Sequence, residues 1–198
     1  VGEVIALGRT FKQSLQKALR SLETGRFGLG ADGRDREPRL ADGSWDLKTI
    51  EQNLRVPCAE RIFMVRYAFL ANLSVEEIHE WSGIDPWFLH HILELVQEEQ
   101  EYRAQPDQIP LHRAKKLGFS DHQLAFLSGR PEDEIRAERK LKGIVPTYRL
   151  VDTCAAEFEA STPYYYSTYG EEDETRSSDK KKVLILGSGP NRIGQGIE

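Results

Sequence analysis

A chain of 198 residues, 39% apolar and 30% charged, has room for one ordinary domain and parts of its neighbours, and its mean hydropathy of -0.54 is that of a wet, helical surface. A net charge of -5 makes no field that would gather nucleic acid or an anionic membrane, and no apolar run approaches the ~20 residues of a membrane span. The two cysteines, Cys58 and Cys154, fit no CxxC or metal-ligand spacing and read as reduced thiols of a cytosolic protein, and no basic region or initiator Met marks a signal peptide.

Residues 1–7 (VGEVIAL) alternate weakly and run into Gly8, the pattern of a short strand and turn. Thr10 and Gln13 have the spacing of a capping box, and Phe11, Leu15, Ala18, Leu19 and Leu22 fall on one helical face before Gly25 stops it. That face needs a partner surface, which the residues directly after it do not supply. Residues 25–44 are rich in Gly, Asp, Arg and Pro without periodicity, and read as a solvated loop at a domain boundary.

A helix capped by Ser44 or Asp46 then presents Leu47, Ile50 and Leu54 and ends before Pro57. Across residues 58–72, Ile62, Val65, Ala68 and Phe69 stripe a second helix, with Phe63 and Met64 widening the stripe. Ser74 and Glu77 form a capping box for a third, with Val75, Ile78 and Trp81 inward and Gly83 at its end. Asp85 and Pro86 open a fourth, an acceptor followed by a residue with no N–H to leave unsatisfied. It carries Trp87, Phe88, Ile92, Leu95 and Val96, and is expected to leave the core through QEEQEYR. Three shorter helices over 111–117, 121–127 and 131–142 end at Gly118, Gly129 and Gly143.

Two stretches resemble each other. SVEEIHEWSG from Ser74 and SDHQLAFLSG from Ser120 share S-x-x-[E/Q]-[I/L]-x-x-[W/L]-S-G, and each precedes a helix opened by proline. This is one unit used twice: a capped short helix, a Gly turn, and a second helix packed across the first. Beyond Gly143 the texture changes. Residues 145–153 (VPTYRLVDT) read as extended, CAAEFEA as a short turn of helix or strand, and Tyr164, Tyr165, Tyr166 and Tyr169 lie close together. Residues 170–182 (GEEDETRSSDKKK) are a solvated linker. Residues 183–186 then form a buried strand before a Gly-rich turn, the opening of a βαβ unit that cannot cover its own faces, so the chain reads as a piece of something longer. The expected fold is mainly α: an irregular array of helices in two small subdomains, with a short β strand and Gly-rich turn of an α/β domain at the C-terminal end.

The helix pair beginning at Ser74 has the apolar spacing of a helix-turn-helix, which makes a nucleic-acid-binding module the alternative functional class. Its second helix presents Trp87, Phe88, His90, His91, Glu94, Glu98, Glu99 and Glu101 and no Lys or Arg before Arg103, so phosphate repulsion argues against it. Gly187, Gly189 and Gly194 give G-x-G-x-x-x-x-G, not the dinucleotide fingerprint, and Pro190 lacks the N–H an anion would seek. His90 and His91 point to different sides of a helix and cannot share a metal. No catalytic constellation stands out, and the catalytic and metal sets are empty.

VGEVIALGRTFKQSLQKALRSLE, IDPWFL, VDTCAAEF, YYYSTY and VLILGSGPNRIGQGIE, in this order, resemble the carbamoyl phosphate synthetase large subunit of the bacterial or plastid, glutamine-dependent type. The resemblance implies that residues 1–24 are the tail of a first, carboxyphosphate-forming ATP-grasp half and residues 25–150 the helical oligomerisation (connection) domain. Residues 151–182 would be a crossover and linker, and 183–198 the start of the carbamate-phosphorylating half. It implies a parent ligase that makes carbamoyl phosphate from bicarbonate, glutamine-derived ammonia and two ATP for arginine and pyrimidine synthesis. ATP and Mg2+ or Mn2+ would bind outside this segment, which would hold no cofactor and no active site of its own. The implied partners are a glutaminase small subunit and further copies of the chain through the helical domain, with no nucleic acid and no membrane, in the cytoplasm or, in a plant, the plastid stroma. Gly187, Ser188, Gly189, Pro190 and Gly194 are candidates for a loop on the active-site side of the second half, and Trp87 and Tyr165 for the oligomer interface.

Overall fold

The computed structural model describes residues 4–155, 157–158, 164–176 and 178–184. Among them, eight helices precede one two-stranded ribbon: α1 (Phe11–Ser21), α2 (Leu47–Arg55), α3 (Arg61–Leu70), α4 (Val75–Ser82), α5 (Pro86–Ala104), α6 (Leu111–Lys116), α7 (Asp121–Ser128), α8 (Glu132–Leu141), β1 (Thr147–Leu150) and β2 (Tyr165–Thr168). The class is mainly α, as the periodicities require, with a small β element towards the C-terminal end; of the buried strand expected over 183–186, Val183 and Leu184 are exposed and in no strand, and the other two residues lie outside the described ones.

α5 is the centre of the array, with α1, α3, α4 and α7 packed around it. Its Leu89, Ile92, Leu95 and Val96 join Ile50, Leu54, Ile78, Leu124 and Ile135 of the other helices in one core. Each such side chain contributes ~1.5–3 kcal/mol when fully buried. The other helices are too short to persist alone in water, so this shared packing is what holds them.

The repeated unit is borne out atom by atom. Ser74 Oγ accepts from the Glu77 N–H while the Ser74 N–H donates to the Glu77 carboxylate, and Ser120 and Gln123 do the same. Each short helix ends on a left-handed glycine, Gly83 at φ +68° and Gly129 at φ +67°, a conformation that costs glycine nothing. Both units draw on the one core. The box expected at Thr10 is half made: Thr10 accepts from the Gln13 N–H, but the Gln13 side chain serves the Arg9 N–H and Thr168 instead.

The partner surface that α1 needs is supplied by α5: Phe11 lies 5.4 Å from the Trp87 ring and 5.2 Å from that of Phe88. Two expectations are corrected. Residues 25–44 are not solvated throughout: residues 28–32, with Leu29, Ala31 and Asp32 among them, are buried, while most of 33–44 is exposed as expected. Distant side chains satisfy that backbone: Gln16 accepts from the Leu29 N–H at 2.8 Å, and Gln123 donates to the Gly30 carbonyl at 2.7 Å. With its polar groups paired, irregular backbone can be buried without a ladder. α5 does not leave the core through QEEQEYR either, because Glu98, Glu99 and Tyr102 are buried. Residues 145–153 are extended as expected in part, as β1, which pairs antiparallel with β2 from Thr147↔Thr168 to Leu150↔Tyr165.

Candidate functional site

The exposed feature at the start of α5 is aromatic. Asp85 accepts from the Trp87 N–H at 2.8 Å, fixing the first turn, and the turn sets Trp87 and Phe88 side by side at 4.9 Å, edge to face. Phe11 of α1 backs both rings, and His91, one turn on, meets Trp87 at 4.4 Å. Such pairs gain ~0.5–1.5 kcal/mol beyond the area they bury, which holds the rings in place. Trp87 is nevertheless 53% exposed and Phe88 41%.

Behind α5 lies a buried ion network. The Arg66 guanidinium of α3, 1% exposed, grips Glu99 of α5 through both carboxylate oxygens at 2.8 and 2.6 Å. It also stands 3.2 Å from Asp35. Arg26 completes the chain of charges at 2.9 Å from Asp32 and 2.7 Å from Asp35. Burial pulls the Arg66 pKa down, but the Glu99 and Asp35 carboxylates outweigh it and hold the pKa above its ordinary value. The network ties residues 26–35 to the centre of the array.

A third feature is a cavity of about 370 Å³ between α1, the turn ahead of α7 and the β ribbon. Lys115, buried on its floor, donates to the Phe119 carbonyl at 2.7 Å and to Asp121 at 2.8 Å. Desolvation lowers the Lys115 pKa to about 8, against the pull of Asp121. Arg139 takes both Asp121 oxygens, at 3.0 and 2.8 Å. On the opposite wall Arg20 donates to the Gly118 carbonyl at 2.8 Å and, at 3.4 Å, to that of Phe27. Lys17 gives its ammonium to the carbonyls of Leu7 and Ser167.

Of the residues singled out by sequence, Trp87 is on the exposed aromatic face, whereas Tyr165 is half-buried in β2 opposite Leu150. α1 separates them: Phe11 faces Trp87, while Gln13 and Lys17, about 200° or more round the helix, face the ribbon. Gly187, Ser188, Gly189, Pro190 and Gly194 lie outside the described residues. Among the described residues no group of His, Cys, Asp and Glu is placed to hold a metal, and no helix is long and apolar enough to cross a membrane. Sequence reasoning missed Arg66, Glu99 and Lys115, which an apolar-periodicity search assigns to the surface.

The chain matches the family model described as carbamoyl-phosphate synthetase large chain, oligomerisation domain, over residues 3–143. It is 52% identical to the carbamoyl phosphate synthase large chain of Archaeoglobus fulgidus, over the whole of this chain and 18% of that protein. It is 54% identical to the large chain of Synechocystis sp., with the same shares covered. It is also 48% identical to the chloroplastic, arginine-specific large chain of Arabidopsis thaliana, over all of this chain and 16% of that one. The chain thus spans less than a fifth of the length of these curated relatives.

Proposed function

This chain belongs to the carbamoyl-phosphate synthetase large-chain family and carries its oligomerisation domain, and from that premise we propose that it connects and assembles the parts of a ligase without itself doing chemistry. The parent reaction is the ATP-driven synthesis of carbamoyl phosphate from bicarbonate and glutamine-derived ammonia, for arginine and pyrimidine synthesis. ATP and Mg2+ or Mn2+ bind in ATP-grasp halves on either side, a small glutaminase subunit supplies ammonia, and the enzyme works in the cytoplasm or plastid stroma. Within this chain, residues 1–24 close the first half, 25–150 form the helical domain, 151–182 cross over, and 183–198 begin the second half with the loop Gly187, Ser188, Gly189, Pro190 and Gly194.

The observation that carries the assembly role is the aromatic face of α5. Trp87 and Phe88 leave roughly 200 Å² of ring surface in water, against the ~800 Å² per partner of a standard interface. They are therefore the anchor of a contact, with Tyr165 part of a separate face. Sedimentation velocity on the Trp87→Glu chain tests this. Loss of self-association with unchanged helix content supports the anchor; an unaltered oligomer removes it.

The helix-turn-helix alternative finds no support. α5, which would have to enter a groove, is wrapped by four other helices and buries its middle, and the relatives named above are carbamoyl phosphate synthase large chains.

A further inference from the structure

We propose that the cavity between α1, the turn ahead of α7 and the β ribbon is a binding site for a small phosphate-bearing anion. The chain as a whole is acidic, at -5, yet Lys17, Arg20, Lys115 and Arg136 line this cavity against two carboxylates, Asp121 and Glu132. The excess of two positive charges is what one phosphate dianion neutralises.

The cations are not equivalent. Lys115 and Arg136 are engaged by Asp121 and Glu132, at 2.8 and 2.5 Å. Among the described residues Arg20 hydrogen-bonds to backbone, not to a carboxylate of this cavity: it uses one nitrogen, Nη1, on two backbone carbonyls. Among the described residues its Nε and Nη2 make no hydrogen bond that competes with a ligand, Arg20 lines the cavity, and a guanidinium edge matches the two oxygens of a phosphate in the plane of the fork. Lys17 donates to carbonyls and lies 5.7 Å from the Tyr166 ring, so among the described residues neither cation of the α1 wall is hydrogen-bonded to Asp121 or Glu132, the carboxylates of this cavity. The volume of about 370 Å³ suits a small metabolite rather than a bare ion or a macromolecule.

The site is assembled from three separated stretches, represented by Arg20, Lys115 and Tyr169. A bound anion would brace α1 and the ribbon against the helical array, and would stabilise the folded chain by an amount that grows with the logarithm of its concentration above Kd. Nothing in this depends on self-association, so the site and the assembly role stand or fall separately.

The test is calorimetric titration of inorganic pyrophosphate, inorganic phosphate and citrate into the 198-residue chain, with chloride holding ionic strength constant. Saturable one-to-one binding of pyrophosphate is expected, weakened about tenfold or more by Arg20→Gln and untouched by Lys48→Gln on exposed α2 surface. Absence of saturable binding overturns the proposal, as does binding that a folded R20Q chain retains in full. Tighter binding of citrate than of pyrophosphate overturns the phosphate assignment. Circular dichroism checks the fold of R20Q; if that chain unfolds, Lys17→Gln carries the same comparison, and undiminished binding there is equally fatal.

Discussion

Replacing Glu99 with leucine removes the bidentate acceptor of Arg66 and leaves a guanidinium with 1% exposure facing only Asp35 at 3.2 Å. Breaking a buried pair from one side costs roughly 3–5 kcal/mol, most of it the uncompensated charge. Asp35 remains, but Arg26 at 2.7 Å already shares it, so the lower end applies, about 3 kcal/mol. In a chain of this length that lowers Tm by roughly 6–12 °C. Replacing the pair together, Arg66→Met with Glu99→Leu, is far milder, because apolar groups of similar volume often substitute for a buried ion pair at little cost. Asp35 then keeps Arg26, the Ala31 N–H at 2.9 Å and the Tyr67 hydroxyl. Urea unfolding followed by far-UV circular dichroism measures both proteins. A Glu99→Leu cost below about 1 kcal/mol, or a double variant worse than the single, refutes the claim that Arg66 and Glu99 are a buried, mutually compensating pair.

Three further outcomes follow from local geometry. Gly118→Ala, at φ +93° and with its new Cβ 3.0 Å from the Gln13 Cα and the Gln16 Cβ, lowers stability by about 1–3 kcal/mol in the same urea assay. Ser74→Ala and Ser120→Ala each remove one capping box and each cost about 1 kcal/mol, measured as a shift in unfolding midpoint. Because the Lys115 pKa falls to about 8 on folding, the unfolded chain binds more protons above that pH, and this lysine makes stability rise with pH. Unfolding at pH 8 and pH 9.5 shows that rise as a slope which Lys115→Met lacks.

Much of this architecture could be read from the residues. Ser74, Glu77, Ser120 and Gln123 announce their helix starts because a cap is a contact between neighbours three apart, and Gly83 and Gly129 mark the ends for an equally local reason. What was not legible is non-local. Phe11 finds its partners 76 and 77 residues on, at Trp87 and Phe88, so α1 alone gives no hint of them. The burial of Leu29 and Gly30 is hidden because their hydrogen bonds are completed by Gln16 and Gln123, neither of which lies in the loop. Arg66 and Glu99 carry charges that mark a surface, and only their mutual pairing lets both be buried. Of the candidate residues, Trp87 was recognisable as an aromatic beyond what a small core needs, while Tyr165 belongs to a ribbon whose pairing with Leu150 no local pattern encodes.

The central claim is that this helical array assembles. Light scattering behind size exclusion, on the 198-residue chain across a concentration series, addresses it directly. The account predicts a mass that climbs from the 22.6 kDa of one chain to twice that or more as concentration rises. A mass fixed at one chain up to the highest concentration reached would contradict it, and would leave the array a spacer between its neighbours.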